Sequence, residues 1–343
     1  MVNTSVASSE QGAIDLATKE IRDYETSVQA LCAFVTLAIM GRDERGLAEG
    51  SEYSFGRRMR TSSQNRVSPS EKVTPDTVIQ RSPQLGYVVE AKATLPSEAY
   101  WGTNATQLHK YDDRLSGWWT DDGYVRTTDV ICLTGAPFAA RFADYVESDE
   151  AQRGWSFQCN LCFVEFSYTS RWQECLYLKK ERGKVTDPQL AQVIREGEEV
   201  NIEDLVANFN GAAFYDGDPP VEYVMQILWQ HVFTHRRPGE ERDEELGYWP
   251  IAVAADELTD YLQRMYGSLG EAAGEVRFPR KKWVRLALDA FAQIGLATHD
   301  GDDNFTISFR QLKGELVERF ARRRLQPTPK KKPQAEQLRL LES

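Results

Sequence analysis

Apolar residues near the start of the chain recur mostly at every third or fourth position, which is the spacing of one helical face. The pattern runs from Ile14 to Met40 and stops before Gly41. It predicts a long amphipathic helix, preceded by a frayed segment that ends near Glu10. Residues 41–73 lack this periodicity and are rich in Gly, Ser and charged side chains, so they predict a loop or an irregular hairpin.

The next apolar runs alternate with a period of two and predict strands. One run follows Asp76 and another covers residues 87–92, with turn-forming residues 82–86 between them, which is typical of a β-hairpin. Beyond the hairpin we expect a helix over about 104–115, a strand at 130–133, a helix through Tyr145, and strands at 157–168 and 174–179. This order of elements predicts an α/β domain with a mixed central sheet flanked by helices.

The second half of the chain is mainly helical in its periodicity. Residues 181–218 are acidic and turn-forming, which predicts a connector with one or two short helices. Helices are predicted at 223–233, 255–265, 281–292 and about 311–324, with a hairpin around Asp300-Gly301 before the last one. Helices and a hairpin in this order resemble a winged-helix domain. The predicted divisions are therefore an α/β domain at 1–180, a connector at 181–218, a winged-helix-like domain at 219–325 and a basic, polar tail at 326–343.

Composition narrows the class of protein. A chain of 343 residues can bury two cores, and a net charge of −11 argues against uniform wrapping of nucleic acid. The sequence shows neither a transmembrane-length apolar run nor a signal-peptide core, so a cytoplasmic protein without a membrane partner is expected. Five cysteines, an odd number, fit free thiols. Cys159 and Cys162 are expected to be buried strand cysteines, with a zinc or redox site as the alternative.

The predicted hairpin brings chemically useful side chains together. Its second strand returns beside the first, which places Asp76 near Glu90, and alternation puts Glu90 and Lys92 on one face. Two carboxylates beside an ammonium form a candidate binding site for Mg²⁺, since this ion binds through one or two carboxylates together with water and phosphate oxygens. The alternative is a solvated hairpin with an ion pair.

These residues carry a family resemblance. Pro75-Asp76 followed by Glu90-Ala91-Lys92 resembles the signature of the PD-(D/E)XK nuclease superfamily, and Gln107-x-x-x-Tyr111 resembles the accessory motif of its RecB-like members. The resemblance covers about residues 12–170. It implies a restriction-endonuclease-like fold and hydrolysis of phosphodiester bonds, most often in DNA, with Mg²⁺ as the cofactor and Mn²⁺ able to substitute.

The resemblance also implies a role for each matching residue. Asp76, Glu90 and the carbonyl of Ala91 would hold the metal, and Lys92 would orient or help to deprotonate the water. Gln107 and Tyr111 would steady the strand residues or touch the substrate. Relatives often project a glutamate from the first helix toward the metal, and for that position we expect Glu25, with Glu20 in reserve or neither of them involved.

Basic residues form two groups of candidate nucleic-acid contacts. The first group precedes the Asp76 strand, and the second lies at the start of the predicted helix 281–292, within a segment 276–332 that holds more than twice as many Lys and Arg as Asp and Glu. The members are Arg57, Arg58, Arg60, Arg280, Lys281, Lys282 and Arg285. A solvated loop is the alternative for the first group. The acidic hairpin turn near Asp302 would repel phosphate, so a protein partner for the second domain stays open.

These features and the resemblance together predict a metal-dependent nuclease, and the resemblance implies action on DNA in bacterial defence, restriction, recombination or transposition. The alternatives are a winged-helix DNA- or protein-binding subunit with a degenerate nuclease fold, or a scaffold subunit. The sequence contains no G-x-x-x-x-G-K-[ST] nucleotide-binding loop, so energy-driven translocation would need a separate ATPase subunit. Oligomerisation is left open.

Overall fold

The computed structural model describes residues 3–39, 51–95, 97–169, 174–209, 213–236, 248–266, 278–310 and 316–325. The chain divides into two compact units, each built from separate segments. The larger unit contains Ile21–Pro220 and Ala254–Arg285, and the smaller unit contains Met1–Glu20, Val221–Val253 and Leu286–Ser343. The basic tail at 326–343 and residues 41–50 of the predicted loop lie outside the described residues. None of the helices in the described ranges is both long enough and apolar enough to cross a membrane.

The first part of the chain forms a long helix and a set of short strands before the hairpin. These elements are α1 (Asn3–Ile39), β1 (Glu52–Ser54), β2 (Met59–Arg60), β3 (Lys72–Val73), β4 (Thr77–Ser82) and β5 (Leu85–Lys92). Alternating helices and strands follow as α2 (Trp101–Tyr111), β6 (Thr127–Gly135), α3 (Ala136–Arg153), β7 (Asn160–Thr169), β8 (Cys175–Gly183), α4 (Pro188–Glu196), β9 (Glu198–Asn201) and α5 (Ile202–Asn208).

Seven of these strands form one mixed sheet in the order β1-β4-β5-β6-β7-β8-β9. The two parallel pairs, β5 with β6 and β6 with β7, lie in the middle, and the outer pairs are antiparallel. Central parallel strands are covered on both faces, which explains their nearly continuous apolar runs. The predicted α/β class with a mixed central sheet flanked by helices is therefore confirmed.

Alternation along β5 divides its side chains between two helical layers. Val88 belongs to a buried cluster with Leu108 of α2 and Phe142 of α3. Tyr87, on the opposite face, packs edge-on against Phe34 of α1, with ring centroids 6.3 Å apart. Glu90 has the same parity as Val88, so it points toward α2.

Several predicted bounds differ from the observed ones. Helix α1 already begins at Asn3, so the predicted frayed start is helical, and α2 covers Trp101–Tyr111 instead of 104–115. The predicted connector, expected to hold one or two short helices, holds two, α4 and α5. It also holds β9, which pairs with β8 and extends the sheet. That strand is short, polar and at the edge, so it lacks the apolar alternation by which strands are recognised.

The smaller unit is built around aromatic side chains. Trp229 lies in a π-helical stretch, Leu228–Phe233, and its ring centroid is 5.4 Å from that of Phe291, 5.1 Å from that of Phe309 and 6.1 Å from that of Phe320. The remaining elements of the second half are α6 (Val221–Ile227), α7 (Thr234–Arg236), β10 (Trp249–Ala254), α8 (Ala255–Tyr266), α9 (Lys281–Gln293), β11 (Ala297–Gly301), β12 (Asn304–Phe309) and α10 (Leu316–Ala321).

The predicted hairpin of β11 and β12 gains a third strand, because β10 pairs with β12. Helix α8 and the first turn of α9 belong to the larger unit, so the elements expected to form one winged-helix-like domain are shared between the two units. A buried ion cluster fixes α10 and the 3₁₀ helix that follows it, since Arg323 and Arg324 both pair with the fully buried Glu222.

Candidate active site

The β4–β5 hairpin brings the two predicted carboxylates together. Thr77 pairs with Val89, so Asp76, one residue before β4, lies beside Glu90. Asp76 Oδ2 accepts a hydrogen bond of 2.8 Å from the backbone N–H of Ala91. Both side chains are buried, with 6% of Asp76 and 2% of Glu90 exposed. A carboxylate pair so far from solvent is costly unless cations or donors compensate it.

Each oxygen of Glu90 has a different partner. Lys92 Nζ donates to Oε1 at 2.6 Å, and the Tyr111 hydroxyl donates to Oε2 at 2.9 Å. Gln107 Nε2 in turn donates to the Tyr111 oxygen at 3.0 Å. Residues four apart share one face of a helix, which is why α2 presents Gln107 and Tyr111 together. The structure thus joins Gln107, Tyr111, Glu90 and Lys92 in one hydrogen-bonded chain.

Electrostatics in this site follow from burial and from crowding of like charges. Burial raises the pKa of Asp76 well above its ordinary value, and the neighbouring carboxylates of Glu90 and Asp216 raise it further. Burial would lower the pKa of Lys92, but Glu90 and Asp76 outweigh it and raise that pKa, so Lys92 is a cation. Burial and Glu90 also raise the pKa of Tyr111, which keeps its hydroxyl a neutral donor.

Two further residues at the site come from a segment that was predicted to be connector. The backbone N–H of Tyr215 donates to the Tyr24 hydroxyl at 3.3 Å, and the two rings lie 4.9 Å apart. The next residue, Asp216, interacts electrostatically with Glu90, and burial together with that carboxylate raises the pKa of Asp216 to about 6. Neither residue was expected at the site from the sequence. Their only local signal is an acidic, Gly- and Pro-containing stretch, which is also typical of a solvated turn.

The helix glutamates lie in other surroundings. Glu25 is half-buried on α1, where burial raises its pKa, Arg22 opposes the shift and Tyr168 is a neighbour. Glu20 forms an ion pair with Arg324 in the smaller unit. The two carboxylates that interact electrostatically with Asp76 belong to Glu90 and Asp216. Participation of Glu25 in metal binding stays a prediction.

The first group of candidate phosphate contacts lies before the hairpin. The Arg57 guanidinium sits 3.8 Å from the ring centroid of Trp119 and donates to the Gly117 carbonyl. Arg58 is exposed between β1 and β2, and Arg60 is exposed on β2. These two exposed arginines can meet an anionic polymer without first losing a buried contact.

The second group is already engaged with carboxylates. Arg280 pairs with Asp216, Lys281 Nζ lies 2.7 Å from Asp256 Oδ1, and Lys282 Nζ lies 2.9 Å from Asp218 Oδ1. Arg285 is exposed on α9. Because Asp216 and Asp218 fold back onto the start of α9, a phosphate would have to compete with carboxylates that the sequence pattern did not place there.

Within the described residues, no group of three or more His, Cys, Asp or Glu side chains is arranged to hold a metal ion. That result gives no support to a zinc site at Cys159 and Cys162, which are free thiols with pKa values raised by burial. The pair Asp76 and Glu90 is a smaller set of a different kind. Mg²⁺ is commonly held by one or two carboxylates with water and phosphate oxygens. The donor chemistry fits, because a cation would relieve the repulsion between the buried carboxylates.

Comparison of the chain with models of known protein families, with curated protein sequences and with solved structures gave no match. The evidence for a function therefore lies in the site itself.

Proposed function

We propose that this protein is a Mg²⁺-dependent nuclease that hydrolyses phosphodiester bonds in DNA, with a restriction-endonuclease-like fold in its larger unit. The observation that carries the proposal is the arrangement around Glu90. Asp76 lies beside it and is bonded to the Ala91 N–H, while Lys92 and the Tyr111 hydroxyl of α2 each donate to one Glu90 oxygen. A binding module or scaffold would not need a buried carboxylate pair in which the pKa of Asp76 stays well above its ordinary value although Lys92 lies beside it.

In this proposal Asp76, Glu90 and the carbonyl of Ala91 hold the ion. Bound Mg²⁺ would lower the pKa of a water molecule and offset charge that develops on the phosphate. The hydrogen bond from the Ala91 N–H fixes Asp76 Oδ2. A carboxylate oriented in this way would present its remaining lone pairs to the ion.

Lys92 supplies positive charge beside the reacting phosphate. Because its carboxylate neighbours raise its pKa, it acts as a hydrogen-bond donor that orients water and stabilises the transition state, in preference to acting as a base. Its bond to Glu90 Oε1 places the ammonium at the carboxylate that would bind the ion.

Tyr111 and Gln107 position Glu90. The Tyr111 hydroxyl occupies Glu90 Oε2, and Gln107 fixes the orientation of that hydroxyl. Such support from outside the reacting groups keeps a carboxylate in one rotamer.

The test is degradation of nucleic acid by the purified full-length protein. Plasmid, linear duplex, single-stranded DNA and RNA are each incubated with Mg²⁺, with Mn²⁺ and with a chelator. We expect cleavage of DNA that depends on the ion and is absent in Asp76→Ala. Intact substrates of all four kinds with both ions would contradict the proposal, and cleavage of RNA alone would correct its substrate.

A further inference from the structure

The Asp216–Arg280 pair lies beside the candidate active site and was not expected from the sequence. Arg280 Nη2 binds Asp216 Oδ1, and the two side chains are 35% and 22% exposed. The guanidinium also lies 5.3 Å from the ring centroid of Trp283 and 5.6 Å from that of Phe278. Arg280 therefore lies against two stacked aromatic rings and donates a hydrogen bond to a carboxylate.

That carboxylate is in an unfavourable place for an anion. Asp216 interacts electrostatically with both Asp76 and Glu90. Burial and Glu90 raise the pKa of Asp216 to about 6 even though Arg280 opposes the shift. A pair whose acid partner is repelled by its surroundings is easier to separate than one in which both partners are stabilised.

We infer that Asp216 occupies on Arg280 the position of a DNA phosphate, and that substrate binding exchanges one anion for the other. The inference rests on the proposed nuclease function. A guanidinium binds carboxylate and phosphate oxygens with the same planar set of donors, so the two anions are chemical alternatives at Arg280. A phosphate brought to Asp76 and Glu90 arrives next to Asp216, and departure of Asp216 removes a like charge from Glu90.

A neighbouring pair holds the same loop through a separate set of bonds. Asp218 accepts from Trp283 Nε1 at 2.7 Å and pairs with Lys282 at 2.9 Å. Burial would raise the pKa of Asp218, but the bonds from Lys282 and Trp283 outweigh it and lower that pKa. Asp218 is thus a stabilised anion that fastens the loop, whereas Asp216 is a destabilised one. Asp218→Asn removes the same charge from the same loop and is the matched control.

The experiment measures affinity for a duplex oligonucleotide by fluorescence anisotropy in Ca²⁺, which also takes oxygen ligands, over a range of salt concentrations. Asp216→Asn should tighten DNA binding by about three- to tenfold, because the anion that competes for Arg280 is gone. A tenfold change in affinity corresponds to about 1.4 kcal/mol. Asp218→Asn should stay within about twofold of wild type, because its pair with Lys282 is exposed and contributes little, and because the Asn oxygen can still accept the hydrogen bond from Trp283. Arg280→Ala should weaken binding about tenfold and reduce the log-log salt slope by about 0.9, the value for one lost phosphate contact. The double variant Asp216→Asn/Arg280→Ala should behave like Arg280→Ala.

The outcomes separate this inference from the proposed function. Equal effects of Asp216→Asn and Asp218→Asn would show a simple charge effect, and weaker binding by Asp216→Asn would show a purely structural pair; either result overturns the inference alone. If Asp216→Asn lowers the melting temperature strongly, the affinity of Asp216→Ser is measured in its place, together with the salt slope of Arg280→Ala. An unchanged salt slope in Arg280→Ala overturns the inference. Wild-type protein that neither binds nor cleaves DNA would overturn both proposals.

Discussion

The hydroxyl of Tyr111 donates a hydrogen bond of 2.9 Å to Glu90 Oε2, and this bond joins helix α2 to strand β5. Lys92 occupies the other oxygen of the same carboxylate. Glu90 is therefore held from two directions before any ion or substrate binds. A carboxylate held in this way has little rotamer freedom left to lose, which favours binding of a ligand in one geometry.

Replacing either buried carboxylate should abolish cleavage. Asp76→Asn keeps the shape of the side chain and removes its charge. Since burial and Glu90 raise the pKa of Asp76, the ionised form destabilises the fold, and Asn should leave the melting temperature unchanged or higher. Glu90→Gln should also abolish turnover. Exposed Asp121 provides the control, because Asp121→Asn should keep wild-type rates. Cleavage at the wild-type rate in Asp76→Asn would remove that residue from the site.

Lys92 should be needed for turnover and not for ion binding. Lys92→Ala is expected to cut the cleavage rate severely while calorimetry still detects Mg²⁺ binding, since the ammonium carries no metal-ligating lone pair. Lys92→Arg should not restore activity, because a planar guanidinium cannot take the position of a compact ammonium. Loss of ion binding in Lys92→Ala would instead show that the role of Lys92 is structural.

Tyr111→Phe tests the positioning role of the hydroxyl. The variant deletes one oxygen whose bond to a charged group is worth about 1.5–3 kcal/mol, so kcat should fall about tenfold or more with a smaller change in KM. Tyr87→Phe is the matched control, since its hydroxyl is buried without a hydrogen-bond partner among the described residues, and the variant should be active and at least as stable. Equal kcat values for the two variants would contradict the role assigned to Tyr111.

These residues also show what the sequence could and could not predict. The hairpin, the shared face of Glu90 and Lys92, and the helix carrying Gln107 and Tyr111 follow from local periodicity and turn chemistry, because their partners lie close along the chain. Asp216 is far from Glu90 in sequence, and its acidic turn has the same composition as a solvated connector. The proximity of Asp216 and Glu90 depends on how the whole unit packs, and a local sequence pattern does not predict that packing.

Gly86 illustrates the same limit at one position. It was predicted to belong to the turn, yet it is the second residue of β5. A Cβ built on it would lie 2.2 Å from the ring of Trp118. The glycine is therefore required because the Trp118 side chain approaches it closely from a loop that is distant in sequence. Residue preferences in turns cannot reveal such a contact.

The exposed arginines before the hairpin should contribute to affinity through phosphate contacts. Replacing Arg58 and Arg60 together with Ala is expected to weaken duplex binding across sequences and to reduce the log-log salt slope by about 1.8, at about 0.9 for each lost contact. Cleavage at saturating DNA should persist, since neither residue belongs to the Asp76–Glu90 site. Salt titration by anisotropy measures the slope, and an unchanged slope would exclude both arginines from the interface.

The buried ion cluster of the smaller unit predicts how stability depends on pH. Arg324 donates from Nε to Glu222 Oε1 at 2.8 Å and from Nη2 to Oε2 at 2.9 Å, and Glu222 is fully buried. Burial would raise the pKa of Glu222, but the bonds from Arg324 and the charge of Arg323 outweigh it and hold that pKa below its ordinary value. Arg324→Ala should therefore cost about 3–5 kcal/mol at neutral pH, since it weakens the compensation of a buried charge.

A group whose pKa is lower in the folded state contributes stability above its unfolded pKa, and that contribution is lost as the pH falls through the folded value. Glu222→Gln should consequently lower the melting temperature at pH 7, and its difference from wild type should shrink below about pH 4.3, where the unfolded glutamate becomes protonated. Thermal unfolding between pH 7 and pH 3 measures both. Arg322→Ala is the control, because its exposed pair with Glu10 should contribute less than about 1 kcal/mol. A constant difference between Glu222→Gln and wild type across this range would show that Glu222 gains its stability from packing and not from its charge.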